Sequence, residues 1–481
     1  MEYGITGFGA YVPRLRLDRA VIAAEHRWMA PALKGLARGT RAFCSWDEDA
    51  VTMAVEAARD ALDDRQRHGI RTLLLASTNF PYADLQNASI VAAALDLELA
   101  LRSADCGGSQ RAATTMLAQA LAAGEGEALL VASDRPLGKP ASTQEMTYGA
   151  GAAALTLGGE GVIARCLGTA SISAMFVDHF RASGQRYDYF WEERWIRDEG
   201  YLALVPQAVG AALGKAGIGI GAITHLVMAS PLRGIADAVG KKIGFAGKPA
   251  DALDDGCGYA GAAHPLLMLA AVLERCRPGE RILLVGFGQG CDALVLEATD
   301  AIADFKPRRG VAAVLADAVK TDAYLRMLSF QGSIELEWGM RGEKEVKTAQ
   351  TDQYRSAGQI MAFNAGKCRA CGAVQFPQLA YCVNPACCAP AAQFDPFTLV
   401  DSPAAVLTYT ADWLSYHPAP PLYVGFVQFA VGARLLMEMV DIGPAGIDVG
   451  MPLRTVFRIK DRDTQRGYDR YFWKATPVAA G

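Results

Sequence analysis

Roughly the first 300 residues carry one pattern twice, and a duplicated unit constrains a fold more than any single motif. In the first copy AVTMAVEAARDAL has helical periodicity, RTLLLAST reads as a short buried strand, QRAATTMLAQALAAG as a helix, EALLVASD as a strand and YGAGAAALTLG as the close. In the second copy the helix is YLALVPQAVGAALGKAGI and the strand ITHLVMASP. AAHPLLMLAAVLERC is the next helix, RILLVGFGQG the next strand, and CDALVLEAT closes the unit. The strands are continuous apolar runs, the pattern of strands covered on both faces. Two such halves predict a layered α/β domain with sheets held between helices.

At 481 residues the chain has room for two or three domains of ~100–200 residues each. Apolar residues make up 51%, yet no apolar run approaches the ~18 residues needed to span a bilayer. The stretch MEYGITGFGAYVPRLRL has no basic segment leading into an apolar one, so no signal peptide is expected. A net charge of −4 argues against a nucleic-acid partner, which calls for a basic patch. Eleven cysteines in a chain without a leader read as reduced thiols or metal ligands. The expectation is a soluble, cytoplasmic protein with neither a nucleic-acid nor a membrane partner.

KCRACGAVQFPQLAYCVNPACC is the strongest chemical motif. Cys368 and Cys371 form a C-x-x-C knuckle, and Cys382 and Cys387 close it after ten intervening residues, with a spacer of four. Four thiolates suit tetrahedral Zn²⁺, and filling all four positions makes the site structural. Cys388 is a spare that could replace Cys387 as the fourth ligand. After this ribbon come AAVLTYTADW, LYVGFVQF, ARLLMEMVDI, MPLRTVFRIKD and DRYFWKATPV, short strands with turn signals that fit an OB-type barrel.

SADCGGSQRA, from Ser103 to Ala112, raises the catalytic question. Cys106 lies between a strand and a helix that is expected to begin near Ser109. A sulfur there would face unpaired N–H groups, which can lower a thiol's pKa. Gly107 and Gly108 let backbone approach a ligand closely, as an oxyanion hole needs. The alternative is a small core cysteine packed under a helix.

GAYVPRLRLDR, SADCGGSQRA, YGAGAAAL and GYAGAAHPLLMLAAVLE with PGERILLVGFGQG together resemble the thiolase superfamily, and within it the hydroxymethylglutaryl-CoA synthases. The resemblance implies a duplicated α-β-α-β-α domain that binds a CoA thioester, loads an acyl group on a cysteine and makes or breaks a carbon–carbon bond, usually as a dimer. The synthase pattern, laid on ADCGGS without gaps, puts Asp105 on the cysteine; the thiolase-type pattern lands on Cys106. Where the synthases have a glutamate, a histidine and an asparagine, this chain offers Asn79 or its neighbour, Ala229 and Tyr259. His264, in AAHPLL, stands near a His-Pro pair of the thiolases and could deprotonate the thiol or act as general acid. Tyr259 could polarise a carbonyl or take a proton, or be a core tyrosine with a satisfied hydroxyl. The segment HFRASGQRYDYFWEERWIRDEGY corresponds to a region that helps shape the acyl pocket, or else is an interface or surface helix. The ribbon and barrel resemble the zinc-ribbon/OB proteins that accompany thiolase-type enzymes, bridging subunits and helping to hold the CoA.

The expected domains are residues 1–345 (halves about 1–165 and 166–345), a helix and zinc ribbon at 350–392, and an OB-fold at 393–481. The expected function is an acyl-CoA-dependent transferase, homodimeric in the manner of the resembled enzymes, with Cys106 carrying the acyl group and His264 moving the proton. Its alternatives are a cysteine-independent retro-aldolase that uses Asp105, Tyr259 or His264, and a non-catalytic scaffold subunit.

Overall fold

The apolar runs become strands of one nine-stranded sheet in a computed structural model that describes residues 3–62 and 64–478. In chain order they are β1 (Gly4–Tyr11), β2 (Thr72–Ala76), β3 (Arg102–Cys106), β4 (Ala128–Asp134), β5 (Gly151–Gly158), β6 (Ala164–Ser173), β7 (His225–Met228), β8 (Arg281–Phe287) and β9 (Gly290–Ala298). Across the sheet they run β7-β8-β9-β6-β1-β5-β4-β2-β3. The duplication is visible in that order. β1, β5, β4 and β2 form one half, and β6, β9, β8 and β7 repeat it. Antiparallel pairing of Gly4 with Arg165 and Ile5 with Ala164 joins the two. β3 extends the first half alone.

The helices that build the layers are α1 (Ala50–Ala61), α2 (Ala112–Ala123), α3 (Leu202–Ala216) and α4 (His264–Leu273). α1 packs on β1, β4 and β5, and α3 on β6, β8 and β9, so both are outer layers. α2 and α4 touch each other and reach strands of both halves, which makes them the middle layer. This is the expected α-β-α-β-α layering. All ten residues of α4 are buried, as its unbroken apolar sequence demands. α1 is buried along its whole length too, and Asp49 and Thr52 close its start by reciprocal side-chain bonds to each other's N–H, a cap worth about 1 kcal/mol.

The halves also meet where two turns cross. Tyr259 N–H donates to the Thr147 carbonyl at 2.8 Å, and Gly149 N–H to the Tyr259 carbonyl at 2.9 Å. A Cβ on Gly149 would lie 1.9 Å from the Cys257 carbonyl oxygen. Only glycine fits there.

This sheet and its helices form one compact unit of residues Met1–Cys44, Asp49–Val91 and Leu97–Gln331; the second holds Ser45–Glu48, Ala92–Asp96 and Gly332–Gly481. The first unit therefore ends earlier than the expected residue 345. The following segment is tied to the second unit: Trp338 packs edge-on against Tyr416 at 5.4 Å, and Arg341 donates to the Leu414 carbonyl at 2.7 Å. Among the described residues no helix is long and apolar enough to cross a membrane.

In the second unit Asn364–Cys368 pairs with Val374–Gln375 and with Phe394–Thr398 in a three-stranded ribbon. Five strands then close a ring in the order Ala404–Val406, Pro452–Asp463, Tyr468–Pro477, Arg434–Met439 and Leu422–Phe429, because the first pairs with both the second and the last. Closure removes the open edges of a small sheet. The expected strand AAVLTYTADW is broken: Leu407 and Thr408 both direct their N–H to the Phe426 carbonyl, at 2.8 and 3.3 Å. That bulge bends the chain, and Thr410–Asp412 continues as a spur. Buried Phe363, Phe429, Phe457 and Trp473 fill the barrel.

Two glycine variants check this packing. Gly149→Ala should destabilise by about 3 kcal/mol, the upper range for overpacking. Gly210→Ala, exposed within α3 with nothing within 4 Å of the new Cβ, should stabilise by about 0.8 kcal/mol through helix propensity. Thermal denaturation beside the parent protein reads both, and a Gly149→Ala protein melting with the parent would refute the crossing.

Candidate functional site

Cys106 ends β3, paired with Ala76 at the end of β2. Neighbouring side chains of a strand point to opposite faces, so Asp105 and Cys106 serve different surroundings. Asp105 accepts from the Asn87 N–H at 2.7 Å, the Asn87 side-chain amide at 2.9 Å and the Ala88 N–H at 2.8 Å. Those residues open the helix Asn87–Ala94, and the carboxylate caps its free N–H groups.

Cys106 is half-buried against the core around the middle layer. α2 starts at Ala112 and not near Ser109, because Gln110 and Arg111 are still in a turn. The sulfur contacts the Ala112 carbonyl at 3.9 Å. Burial alone pushes the thiol's pKa up. The sequence led us to expect a lowered one, and the later helix start is the reason for the difference.

Tyr259 is buried, and its hydroxyl donates to Gln110 Oε1 at 2.8 Å, linking the turn before α4 to the turn after Cys106. The Tyr148 ring lies 6.1 Å from it, and the Tyr148 hydroxyl donates to Asp188 Oδ2 at 3.1 Å. Burial pushes both phenols well above their ordinary pKa; Asp188 adds to this at Tyr148, and Tyr201 and Tyr148 at Tyr259. Both remain protonated donors at neutral pH.

His264 lies 5.3 Å from the Tyr259 ring, centre to centre. Its Nδ1 accepts from the Ala260 N–H at 3.2 Å, and its Nε2–H donates to the Ala252 carbonyl at 2.7 Å. Burial lowers its pKa. The imidazole is neutral, and both nitrogens are engaged by backbone.

Asn79, in the position where the resemblance implies a glutamate, is held between two charges: its amide donates to Asp134 Oδ1 at 2.6 Å, and its oxygen accepts from Arg181 at 2.8 Å. Ala229 contributes only a buried methyl just after β7.

Sequence reasoning pointed to the segment that completes this cluster without singling out its residues. His179–Phe180 pairs with Tyr189–Phe190 in a small hairpin, which brings in Asp178, His179, Arg181 and Asp188. His179 Nδ1 is 2.8 Å from Asp178 Oδ2, and Asp178 Oδ1 accepts from Gln289 at 2.6 Å. Arg181 lies 3.5 Å from Asp188. Burial works against a charged His179, but the hydrogen bond and charge of Asp178, with the charge of Asp188, outweigh it and raise its pKa. The available signal was the adjacent Asp-His pair in an aromatic, charged segment.

A groove of about 450 Å³ runs past Arg38, Thr147, Ser230, Arg233 and Lys248. A second, of about 190 Å³, shares Thr147 and Arg233 and has Phe190 as a wall. That ring stacks on His179 at 5.8 Å.

In the second unit Cys368, Cys371, Cys382 and Cys387 bring their sulfurs within 4.8 Å of one another. Two of the separations are 3.8 Å (Cys368–Cys387) and 3.5 Å (Cys371–Cys382). Four thiolates at ~2.3 Å from a tetrahedral ion would stand ~3.8 Å apart, so the cluster fits a metal. Cys388 turns its sulfur to the Pro385 carbonyl, 3.4 Å away, which leaves Cys387 as the fourth member.

Residues 213–297 match the family model described as 3-oxoacyl-[acyl-carrier-protein] synthase III C terminal. The chain is 31% identical over 319 residues to a hydroxymethylglutaryl-CoA synthase of Aeropyrum pernix, covering 63% of this chain and 87% of that protein. It is 32% identical over 318 residues to the same enzyme of Methanocaldococcus jannaschii, covering 63% and 91%. Among solved structures, an HMG-CoA synthase complexed with CoA superposes with a TM-score of 0.62 at 18% identity, over 73% of this chain and 95% of that one. MvaS in complex with 3-hydroxy-3-methylglutaryl coenzyme A gives 0.59 at 21% identity, over 68% and 91%.

The surroundings of Cys106 set its reactivity. With a raised pKa, its thiolate fraction should climb about tenfold per pH unit through pH 8 to 9, without a plateau near neutrality. Iodoacetamide labelling followed by peptide mass mapping measures this at Cys106 alone. A plateau below pH 8 would show an activated thiolate instead.

Proposed function

The chain belongs to the hydroxymethylglutaryl-CoA synthase family, and from that premise we propose that it makes or breaks a carbon–carbon bond at the α-carbon of an acyl-CoA thioester by proton transfer, without lodging the acyl group on a cysteine. It is a condensing enzyme of the thiolase superfamily. The observation that carries the cysteine-free form is the state of Cys106, a half-buried thiol with a raised pKa beside a carbonyl. An acyl carrier would need the thiolate. What the cluster offers in its place is proton chemistry: two phenols that stay protonated, and buried carboxylates and an imidazole around them. In this reading Tyr259 or Tyr148 donates to the oxygen of a thioester enolate, the species formed whichever way the bond changes.

Coenzyme A is the acyl carrier in this proposal, and the larger groove suits it. Arg38, Arg233 and Lys248 lie along its rim. Arg38 pairs with Asp255 at 3.0 Å and Arg233 with Asp254 at 3.8 Å. Such exposed pairs are worth little, so both guanidinium groups can turn to phosphate. Thr147, on the groove wall, adjoins Tyr148 and bonds the Tyr259 backbone, and in this reading the thioester arm enters beside it. A second reading, with Cys106 as acyl carrier, is favoured by Gly107 and Gly108, which leave the backbone beside the sulfur open to a ligand.

For the second unit we propose a structural Zn²⁺ on Cys368, Cys371, Cys382 and Cys387, with an OB-type barrel that assists CoA binding and assembly. A cytoplasmic homodimer formed through the thiolase-like unit completes the proposal.

Acetyl-CoA in D₂O is the direct test. The protein should exchange the α-protons of acetyl-CoA, read by mass spectrometry, while its own intact mass gains no acetyl group. Tyr259→Phe should slow exchange by about 10²-fold, the effect of losing one oxyanion donor. An acetyl adduct that disappears in Cys106→Ala would return the acyl-cysteine reading. Neither exchange nor adduct would make the chain a scaffold subunit.

Zinc should be present at about one equivalent per chain. Cys371→Ser should lose it and open the second unit to protease, and Cys388→Ser should keep it. Elemental analysis of freshly purified protein that finds no zinc would defeat the assignment.

A further inference from the structure

Two buried histidines stand in this cluster, and their hydrogen bonds separate them. His264 has backbone on both nitrogens. His179 has one nitrogen held, Nδ1 by Asp178 at 2.8 Å, while Nε2 has no hydrogen-bond partner among the described residues and is not enclosed as a buried orphan. A carboxylate on Nδ1 keeps the proton there and leaves the Nε2 lone pair free to act. Asp178 is itself fixed on its other oxygen by Gln289, at 2.6 Å, so the carboxylate cannot swing away from the ring. Phe190 stacks on the ring and walls the smaller groove.

We propose that His179, oriented by Asp178, is the acid–base group of the carbon–carbon bond chemistry, a role that rests on the cysteine-free reading above. In the cleaving direction Nε2 takes the hydroxyl proton of a β-hydroxyacyl-CoA. The O–H electron pair becomes the new C=O π bond, the Cα–Cβ bond breaks, and its pair passes into the thioester enolate. The imidazolium then returns the proton to the α-carbon. The products are an aldehyde or ketone and the shortened acyl-CoA, with no other reactant needed. In the joining direction the same nitrogen removes the α-proton and returns it to the new alkoxide.

The charged and titratable groups around the ring are Asp178, Asp188 and Arg181, with Tyr148 beyond Asp188. The two carboxylates favour the imidazolium and Arg181 opposes it, for a net upward shift. Base action needs the neutral ring, so exchange should fall as pH drops through a value above the ordinary ~6.5 of histidine.

The experiment is α-proton exchange of acetyl-CoA in D₂O across pH, with CoA binding measured in parallel. His179→Gln should lose about 10²–10³-fold in exchange rate while binding CoA as the parent does. Asp178→Asn, acting through position, should move the acid limb to lower pH, because the carboxylate that raises the ring's pKa is gone. A ¹⁵N-histidine spectrum of the parent, with the His179 signals assigned by their loss in His179→Gln, should show the Nδ1–H tautomer. His179→Gln exchanging within about twofold of the parent, or an Nε2–H tautomer, overturns the proposal and leaves the cysteine-free reading standing. A parent protein that exchanges nothing sinks that reading, and the role of His179 with it.

Discussion

Two buried carboxylates, one in each half, hold the front unit together. Asp134, at the end of β4, accepts from the Thr78 hydroxyl at 2.8 Å, the Asn79 amide at 2.6 Å and, across the halves, the Ala262 N–H just ahead of α4 at 2.9 Å. Asp292, on β9, accepts from Thr114 at 3.0 Å, Thr115 at 2.6 Å and Arg111 at 2.8 Å, all at the start of α2 in the other half. Each half thus lends an acid to the entrance of the other half's central helix. A buried carboxylate is tolerable only when its oxygens are occupied, and here the partners come from segments far apart in sequence. Removing either acid would leave those donors unpaired at ~1–3 kcal/mol each. Gly261 shows how tight the fit is, since a Cβ there would lie 2.4 Å from Asp134 Oδ2.

The same arrangement decides the fate of Cys106. A helix entrance favours negative charge, but a carboxylate already lies against the first turn of α2. The turn of Gln110 and Arg111 sets the helix start back to Ala112, and Arg111 turns to Asp292 and to the Gly288 carbonyl, 2.9 Å away. Burial is what sets the thiol, and it raises the pKa. Asp105 is likewise drawn off to Asn87 and Ala88.

What could be read in advance was local. Continuous apolar runs gave the strands and the buried helices because each reports its own burial, and cysteine spacing gave the four-thiol cluster because its members lie within twenty residues. What could not be read was pairing over distance. Nothing in ADCGGS says that Asp105 will cap a helix that opens eighteen residues earlier at Asn87, and nothing in AAHPLL says that Ala252 and Ala260 will take both nitrogens of His264. The split of AAVLTYTADW escaped for the same reason: the bulge depends on Phe426, a residue of another strand. The first unit's end at Gln331 depends on aromatic contacts made beyond it, with Tyr416.

The hairpin of Asp178 to Phe190 belongs to neither copy of the repeat; it lies in the connection between β6 and α3. The duplicated elements are bound to each other by Asp134, Asp292 and the crossing of Gly149 with Cys257, so a side chain placed on them is constrained by both halves. The connecting segment meets those halves through side chains at its ends, where Tyr148 donates to Asp188 and Arg181 donates to Asn79. It can carry an Asp-His pair to the strand ends and anchor it at one point, Gln289 in the turn between β8 and β9. Chemistry that the helix entrances no longer support therefore has room to reappear on the hairpin, with the layered core left unchanged.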